Sequence, residues 1–277
     1  MINGHTDLIA HIGFPTHAFR APMIYNPYFD HIGVNARVMP MGCHPADYPA
    51  FLRAVFTLTN LRGALITMPH KVATVGLLDR ITPTAAVAGS CNAVRRAADG
   101  QLEGDMFDGE GFVRGVQRKG LKLDGARVLV VGCGGVGCAI AASLAAAGIA
   151  AISLFDRHTS SCEELAARLT KHHPQLDVRT GSNDPADHDL VVNATPMGMN
   201  EGDPLPMDIA RIAHTTFVGE VVMRTEMTAF LGAAQARGCP VQVGSDMLFE
   251  QIPAYLEYFG YPTTTPDVLR SVARLQY

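Results

Sequence analysis

The sequence has no surplus of positive charge. Its 22 lysines and arginines are outnumbered by 26 aspartates and glutamates, for a formal net charge of −4. A nucleic-acid partner requires a concentrated basic face, so none is expected. No secretory leader is expected either. Residues 1–12 carry polar side chains and two histidines, His5 and His11, where a leader has a basic start and an apolar centre, which predicts a cytoplasmic protein. No stretch reads as a membrane span, because the apolar run 128–151 is broken by glycines and fits a buried strand, turn and helix. The six cysteines, at 43, 91, 133, 138, 162 and 239, form no Cys-x-x-Cys pair, so reduced thiols packed as small apolar residues are expected. The eleven histidines show no His-Glu-x-x-His or comparable ligand spacing, and no metal is expected.

What is present is apolar surface in a regular order. With 277 residues, 48% of them hydrophobic, the chain has the material for two compact domains. Short apolar runs alternate with stretches of helical spacing from one end to the other, which makes the class α/β. Candidate strands at 8–12, 36–39, 63–67 and 93–96, with a helix over 48–57, form a first sheet. A second series starts with a strand at 127–131 and an alanine-rich helix ending at 147. It continues with strands at 151–155, 189–193, 216–222 and 241–243, short and nearly all apolar as in a buried parallel sheet. Residues 245–277 read as helical. The expected organisation is a first domain over 1–107, completed by the C-terminal helices, and a doubly wound second domain over 108–244. Either a monomer or a homodimer suits this size, and no apolar stripe marks an interface.

The second series carries a ligand motif. Gly132-x-Gly134-x-x-Gly137 follows an apolar strand and opens a helix, the context that gives this glycine pattern meaning. The first glycine permits a tight turn and the second lets backbone approach a pyrophosphate. The third lets helix and strand pack, while Gly135 and Val136 place free N–H groups at the helix N-terminus. Asp156 ends the next strand, where a carboxylate accepts hydrogen bonds from ribose hydroxyls. That position favours NAD, because the 2′-phosphate of NADP would meet a like charge; Arg157 beside it offers a cation and keeps NADP open. Asp156 is also placed to cap the helix that follows.

Dinucleotide chemistry names no substrate, and the first domain supplies that information. Thr67-Met68-Pro69-His70-Lys71 resembles the signature of the shikimate/quinate dehydrogenase family. The other motifs follow in the family's order: Gly89-Ser90-Cys91-Asn92, Asp108-Gly109-x-Gly111-Phe112, the glycine loop, Asn193-Ala194-Thr195-Pro196-Met197-Gly198-Met199, and Met247-Leu248-Phe249-Glu250-Gln251. The resemblance spans most of the chain. It implies an N-terminal substrate-binding domain, a Rossmann dinucleotide-binding domain, and an active site in the cleft between them. It further implies Lys71 as the acid/base and Asp108 as its carboxylate partner. The chemistry agrees, since oxidising a secondary alcohol removes a proton from oxygen while hydride leaves carbon. A lysine can take that proton when burial loosens its own and a carboxylate orients it. By the same resemblance Asn92, Gln251 and Thr67 face ring hydroxyls, or else satisfy local backbone. Asn193, Thr195 and Met199 belong to the nicotinamide side and Gly244 to the cofactor site, with Met199 open to a core-filling role.

The resemblance breaks at substrate contacts. The family's Ser-x-Ser-Pro turn, which holds the substrate carboxylate, is Phe19-Arg20-Ala21-Pro22 here. Met223 replaces a tyrosine, Leu65 an asparagine, and Met106-Phe107 an Asn-Thr pair. Losing two hydrogen bonds to a charged group costs roughly 1.5–3 kcal/mol each. Either Arg20 takes the carboxylate, as a solvated surface arginine would not, or the pocket prefers another ring alcohol. The expected reaction is shikimate to 3-dehydroshikimate with NAD or NADP. Quinate, aminoshikimate or another hydroxylated ring acid is the alternative substrate, and a non-catalytic nucleotide-binding regulator is the alternative of another class.

Overall fold

Alternating apolar strands and amphipathic helices build two six-stranded sheets, each in its own compact unit. The structure, a computed structural model, describes residues 2–275. One unit holds the chain up to Ala85, Gly89–Phe107 and everything from Ile252; the other holds Ala86–Ala88 and Asp108–Gln251.

The first unit opens with β1 (Asp7–Gly13), α1 (Pro22–His31), β2 (Ala36–Gly42), α2 (Tyr48–Val55) and β3 (Leu61–Ile66). Both helices carry a proline in their first two positions, where its fixed φ suits the turn and its missing N–H costs nothing. Then come α3 (Lys71–Val75), β4 (Arg80–Ile81), α4 (Pro83–Ala88), β5 (Ala93–Arg96) and β6 (Leu102–Asp105). The hydroxyl of Thr82 caps α4 by accepting the Ala85 N–H at 3.2 Å. The strand order is β2-β1-β3-β5-β6-β4, with β1 parallel to both neighbours and β5 antiparallel to β3 and β6. Side chains alternate along β1. Ala10 and Ile12 enter a core cluster with Tyr48, Leu52 and Val55 of α2, so Ile9 and His11 take the opposite face. From β1 the chain runs outward to β2, then crosses back over β1 to β3. The loops after β1 and β3 therefore diverge, leaving the crevice at strand carboxyl ends where open α/β sheets bind ligands.

The second unit contains α5 (Asp108–Arg118), β7 (Arg127–Val131), α6 (Gly135–Ala146), β8 (Ala151–Phe155), α7 (Thr159–His172), β9 (Asp177–Thr180), β10 (Leu190–Asn193), β11 (Phe217–Glu220), α8 (Ala229–Ala236) and β12 (Val241–Gln242). Its sheet is wholly parallel in the order β12-β11-β10-β7-β8-β9, the doubly wound arrangement. The chain ends with α9 (Gly244–Phe259) and α10 (Pro266–Val272); α10 packs on α1, and the Arg274 N–H just beyond it reaches the Met23 carbonyl at 2.8 Å.

Three strands escaped the sequence reading. β4, β6 and β9 are two to four residues long and include Arg, Glu, Asp and Gly, so no apolar run marks them, and pairing with neighbours makes them strands. The C-terminal stretch is not helical throughout: residues 260–265, with Gly260 and Pro262, separate α9 from α10. All six cysteines are free and buried. Among the described residues no helix is long and apolar enough to cross a membrane, and no three His, Cys, Asp or Glu gather as metal ligands.

Candidate functional site

In the first unit, Lys71 is the opening residue of α3, immediately beyond β3 at the switch point. Its position is over-determined. Thr67 donates its N–H to the Ile12 carbonyl at 2.9 Å, its own carbonyl accepts the His70 N–H at 3.0 Å, and the Lys71 carbonyl accepts the Cys91 N–H at 2.9 Å. The buried His70 ring lies flat on Tyr48, centroids 3.9 Å apart and planes within 4°, with its Nε2 2.9 Å from the Cys43 carbonyl. The Tyr48 hydroxyl pairs with Thr74 Oγ1 at 2.6 Å, and Thr74 donates to the His70 carbonyl. Strand end, ring stack and hydroxyl chain thus hold the backbone from which the half-buried Lys71 side chain projects.

Asn92 is buried, and its side-chain carbonyl accepts the Phe107 N–H at 2.9 Å, so that oxygen serves the segment leading to Asp108. Arg20, just ahead of α1, is half-buried. In the second unit Asp108 is the first residue of α5 and only 7% exposed. Gln251 is the last residue of that unit, and its Oε1 is buried without a partner.

His11 was missed. A histidine between Ala10 and Ile12 in a strand gives no local sign of anything but core. In the structure it stacks on Phe19, centroids 4.1 Å apart, and burial together with the charge of Lys71 pulls its pKa down to about 4.

In the second unit the glycine loop closes as its spacing requires. Gly132 adopts φ +106°, and a Cβ on Gly137 would lie 1.8 Å from the Gly132 carbonyl oxygen. At Gly134 and Gly135 an added Cβ would meet nothing within 4 Å, which leaves open space over the N-terminus of the twelve-residue α6. A cavity of about 620 Å³ beside this loop is lined by Gly132, Gly134, Asp156, Arg157 and Thr195, among others. Gly135, Val136 and Gly137 belong to α6 and do not line it. Asp156 accepts the Cys133 N–H at 2.8 Å and the His158 N–H at 2.9 Å, tying the loop to the end of β8. The capping alternative fails, since His158 occupies the N-cap of α7. The open helix N-terminus, the carboxylate at the end of β8 and the cavity joining them fit a nicotinamide dinucleotide.

Asn193, buried at the end of β10, holds the turn 195–197 that lines this cavity. Its Oδ1 accepts from the N–H and hydroxyl of Thr195, and its Nδ2 donates to the Met197 carbonyl at 2.9 Å and to Glu220 Oε2 at 3.4 Å. Met199, 45% exposed, lines a neighbouring cavity of about 460 Å³ and fills no core. Gly244 starts α9, where any Cβ would strike the Val222 carbonyl.

Glu220 is wholly buried at the end of β11, with Oε1 unpartnered, and burial raises its pKa despite hydrogen bonds from Thr228 and Asn193. A carboxyl raised in this way contributes stability that is complete below the ordinary carboxylate range and is lost as pH rises through the folded value. Glu220→Gln is expected to melt above the native chain at about pH 8 and level with it below about pH 4; Tm measured across pH checks this.

Known proteins carry the same framework. The model of the shikimate dehydrogenase substrate binding domain matches residues 12–94, and that of the ThiF family matches residues 112–176. The shikimate dehydrogenase (NADP(+)) of Acidiphilium cryptum is 33% identical over 275 residues, covering 99% of this chain and 98% of that protein. The structure of shikimate 5-dehydrogenase from Listeria monocytogenes in complex with shikimate and NAD superposes with a TM-score of 0.91 at 25% identity, covering 98% of this chain and 97% of that one. The ligand-free 5-ketofructose reductase of a Gluconobacter strain gives 0.88 at 25% identity, covering 98% of both chains. With a Rossmann sheet, an open glycine loop and a lysine fixed at the switch point of the other sheet, and with this identity sustained over nearly its whole length, the chain belongs to the shikimate dehydrogenase family.

Proposed function

We propose that the chain interconverts shikimate and 3-dehydroshikimate. It is an NAD(P)-dependent oxidoreductase acting on a CH–OH donor. The observation that carries the reading is Lys71, a single ammonium pinned through its backbone at the carboxyl ends of β1 and β3. Lys71 takes the hydroxyl proton in the oxidative direction and returns it in the reverse, and Asp108 is the carboxylate that orients it. Thr67, Asn92 and Gln251 contact the ring, and Arg20 takes its carboxylate. When bound, the dinucleotide supplies the hydride acceptor. Gly132, Gly134, Gly135, Val136 and Gly137 receive its pyrophosphate, Asp156 its ribose, and Asn193, Thr195, Met199 and Gly244 border the nicotinamide.

Asp156 makes NAD the preferred form. Each carboxylate oxygen already accepts one backbone N–H and keeps a lone pair for a ribose hydroxyl. The adjacent Arg157 is exposed and leans on His158, Nε to Nε2 3.3 Å. Asp156→Asn keeps the shape and removes the like charge, so it is expected to raise the use of NADP relative to NAD by about tenfold in kcat/KM.

A second reading, the same chemistry on quinate or another hydroxylated ring acid, draws on Phe19, which is buried against His11 and offers no hydroxyl to a substrate acid. Initial rates of NADH and NADPH formation with shikimate, quinate and related ring alcohols test both. Turnover of shikimate establishes the first reading; turnover confined to another ring alcohol establishes the second; no turnover of any removes both.

A further inference from the structure

At the switch-point end of β1, the His11 imidazole is buried against one aromatic ring, an environment that suits a hydrocarbon better than a polar ring. It is 8% exposed, with the Phe19 ring stacked on it at 28° between planes. Its Nδ1 is buried without a hydrogen-bond partner. Buried polar atoms are nearly always paired, so an orphaned ring nitrogen calls for an explanation, and a role in hydrogen-bonding a ligand supplies one. Packing alone does not call for a histidine here: Ile9, its neighbour on the same face of the strand, is an apolar residue that is fully buried. Lys71 is close enough for its charge to act on the ring, which is itself neutral at physiological pH. A neutral imidazole has one N–H donor and one acceptor nitrogen. It offers a substrate one directional hydrogen bond and no countercharge.

We propose that His11 is a specificity-determining residue that hydrogen-bonds a neutral oxygen, a hydroxyl or carbonyl, of the ring alcohol that reacts at Lys71. The inference rests on the reading of Lys71 as the site of proton transfer, and it adds a group that selects among substrates. A hydroxyl matches the single hydrogen bond of a neutral ring, whereas a carboxylate wedged against Phe19 would give up its water for no opposite charge from His11.

The test uses His11→Phe, which keeps a ring on Phe19 and removes both nitrogens, and His11→Gln, which keeps a hydrogen-bonding amide. Each is compared with the native chain on the best substrate of the ring-alcohol panel and on analogues that each lack one non-reacting hydroxyl. The native chain is expected to discriminate against one such analogue by about tenfold or more in kcat/KM. In His11→Phe that discrimination collapses through KM, with Tm equal to or above the native value because an unpaired buried nitrogen is gone. His11→Gln recovers part of it. Unchanged KM and discrimination in His11→Phe overturn the proposal, as does a parallel loss of Tm and of activity on every analogue, which marks a packing residue. Failure of the Lys71 reading shows separately, as Lys71→Ala retaining more than about a tenth of native kcat. Calorimetric titration of the same compounds, with NAD present, then decides His11 without turnover: weaker binding confined to His11→Phe supports it, and equal binding by both chains or none by either overturns it.

Discussion

Lys71→Ala is expected to lower kcat by about 10²–10⁴-fold, the usual worth of a positioned acid/base. Removing hydride from a secondary alcohol without a group to take the hydroxyl proton leaves a developing positive charge on oxygen, and water is a poor substitute because it is neither held in place nor basic enough. The rest of the molecule should hardly notice. Lys71 is half-buried, and the groups that fix α3 are its own backbone carbonyl, the His70 stack and the Thr74 hydroxyl, none of which the substitution touches. Tm should therefore stay within the small range typical of surface changes, roughly 0.5 kcal/mol of stability. Fluorescence titration of reduced cofactor, whose loop lies in the other unit, should give an unchanged Kd. A variant retaining more than about a tenth of native kcat would remove Lys71 from the chemistry.

Gly137→Ala is expected to abolish measurable cofactor binding and to destabilise the fold together. The added methyl would sit 1.8 Å from the Gly132 carbonyl oxygen and 2.9 Å from its carbon, both backbone atoms, so β7 and α6 must separate. Overpacking of this kind costs typically about 1–3 kcal/mol. The contrast is Gly134→Ala. Its methyl meets nothing within 4 Å, and the backbone there is extended, at φ −75° and ψ −173°. Gly134→Ala should keep native Tm yet weaken NAD binding by tenfold or more, on the order of 1.4 kcal/mol, because the methyl fills the space through which a pyrophosphate reaches the helix N-terminus. Equal affinity in Gly134→Ala and the native chain would mean that the phosphates lie elsewhere.

These two residues differ in how they could be known. The glycine loop was legible because every part of its meaning is local: an apolar strand, three glycines at fixed spacing, a helix, and an acid at the end of the following strand. β7 and β8 accordingly begin and end where the apolar runs do, at Arg127–Val131 and Ala151–Phe155. Lys71 was legible only through resemblance, since nothing in Pro-His-Lys requires catalysis.

Alternation of apolar runs with helical spacing and the glycine motif were enough for the sequence to determine the α/β class, the Rossmann sheet and its ligand, because burial periodicity and turn geometry act over a few residues. Partnerships between distant residues were decided by tertiary structure alone. Asn92 is named by its motif alone, and only the fold shows its side-chain carbonyl holding the Phe107 N–H, fifteen residues away. Glu220 lies inside the expected strand 216–222 with no local sign of a partner, and only the fold buries it against Asn193, twenty-seven residues earlier. His11 reads as core until it appears stacked on Phe19 with one nitrogen unpaired. A side chain's hydrogen-bonding fate depends on which backbone groups the sheet register brings beside it, and register is a property of pairing between strands, which no single segment of sequence contains.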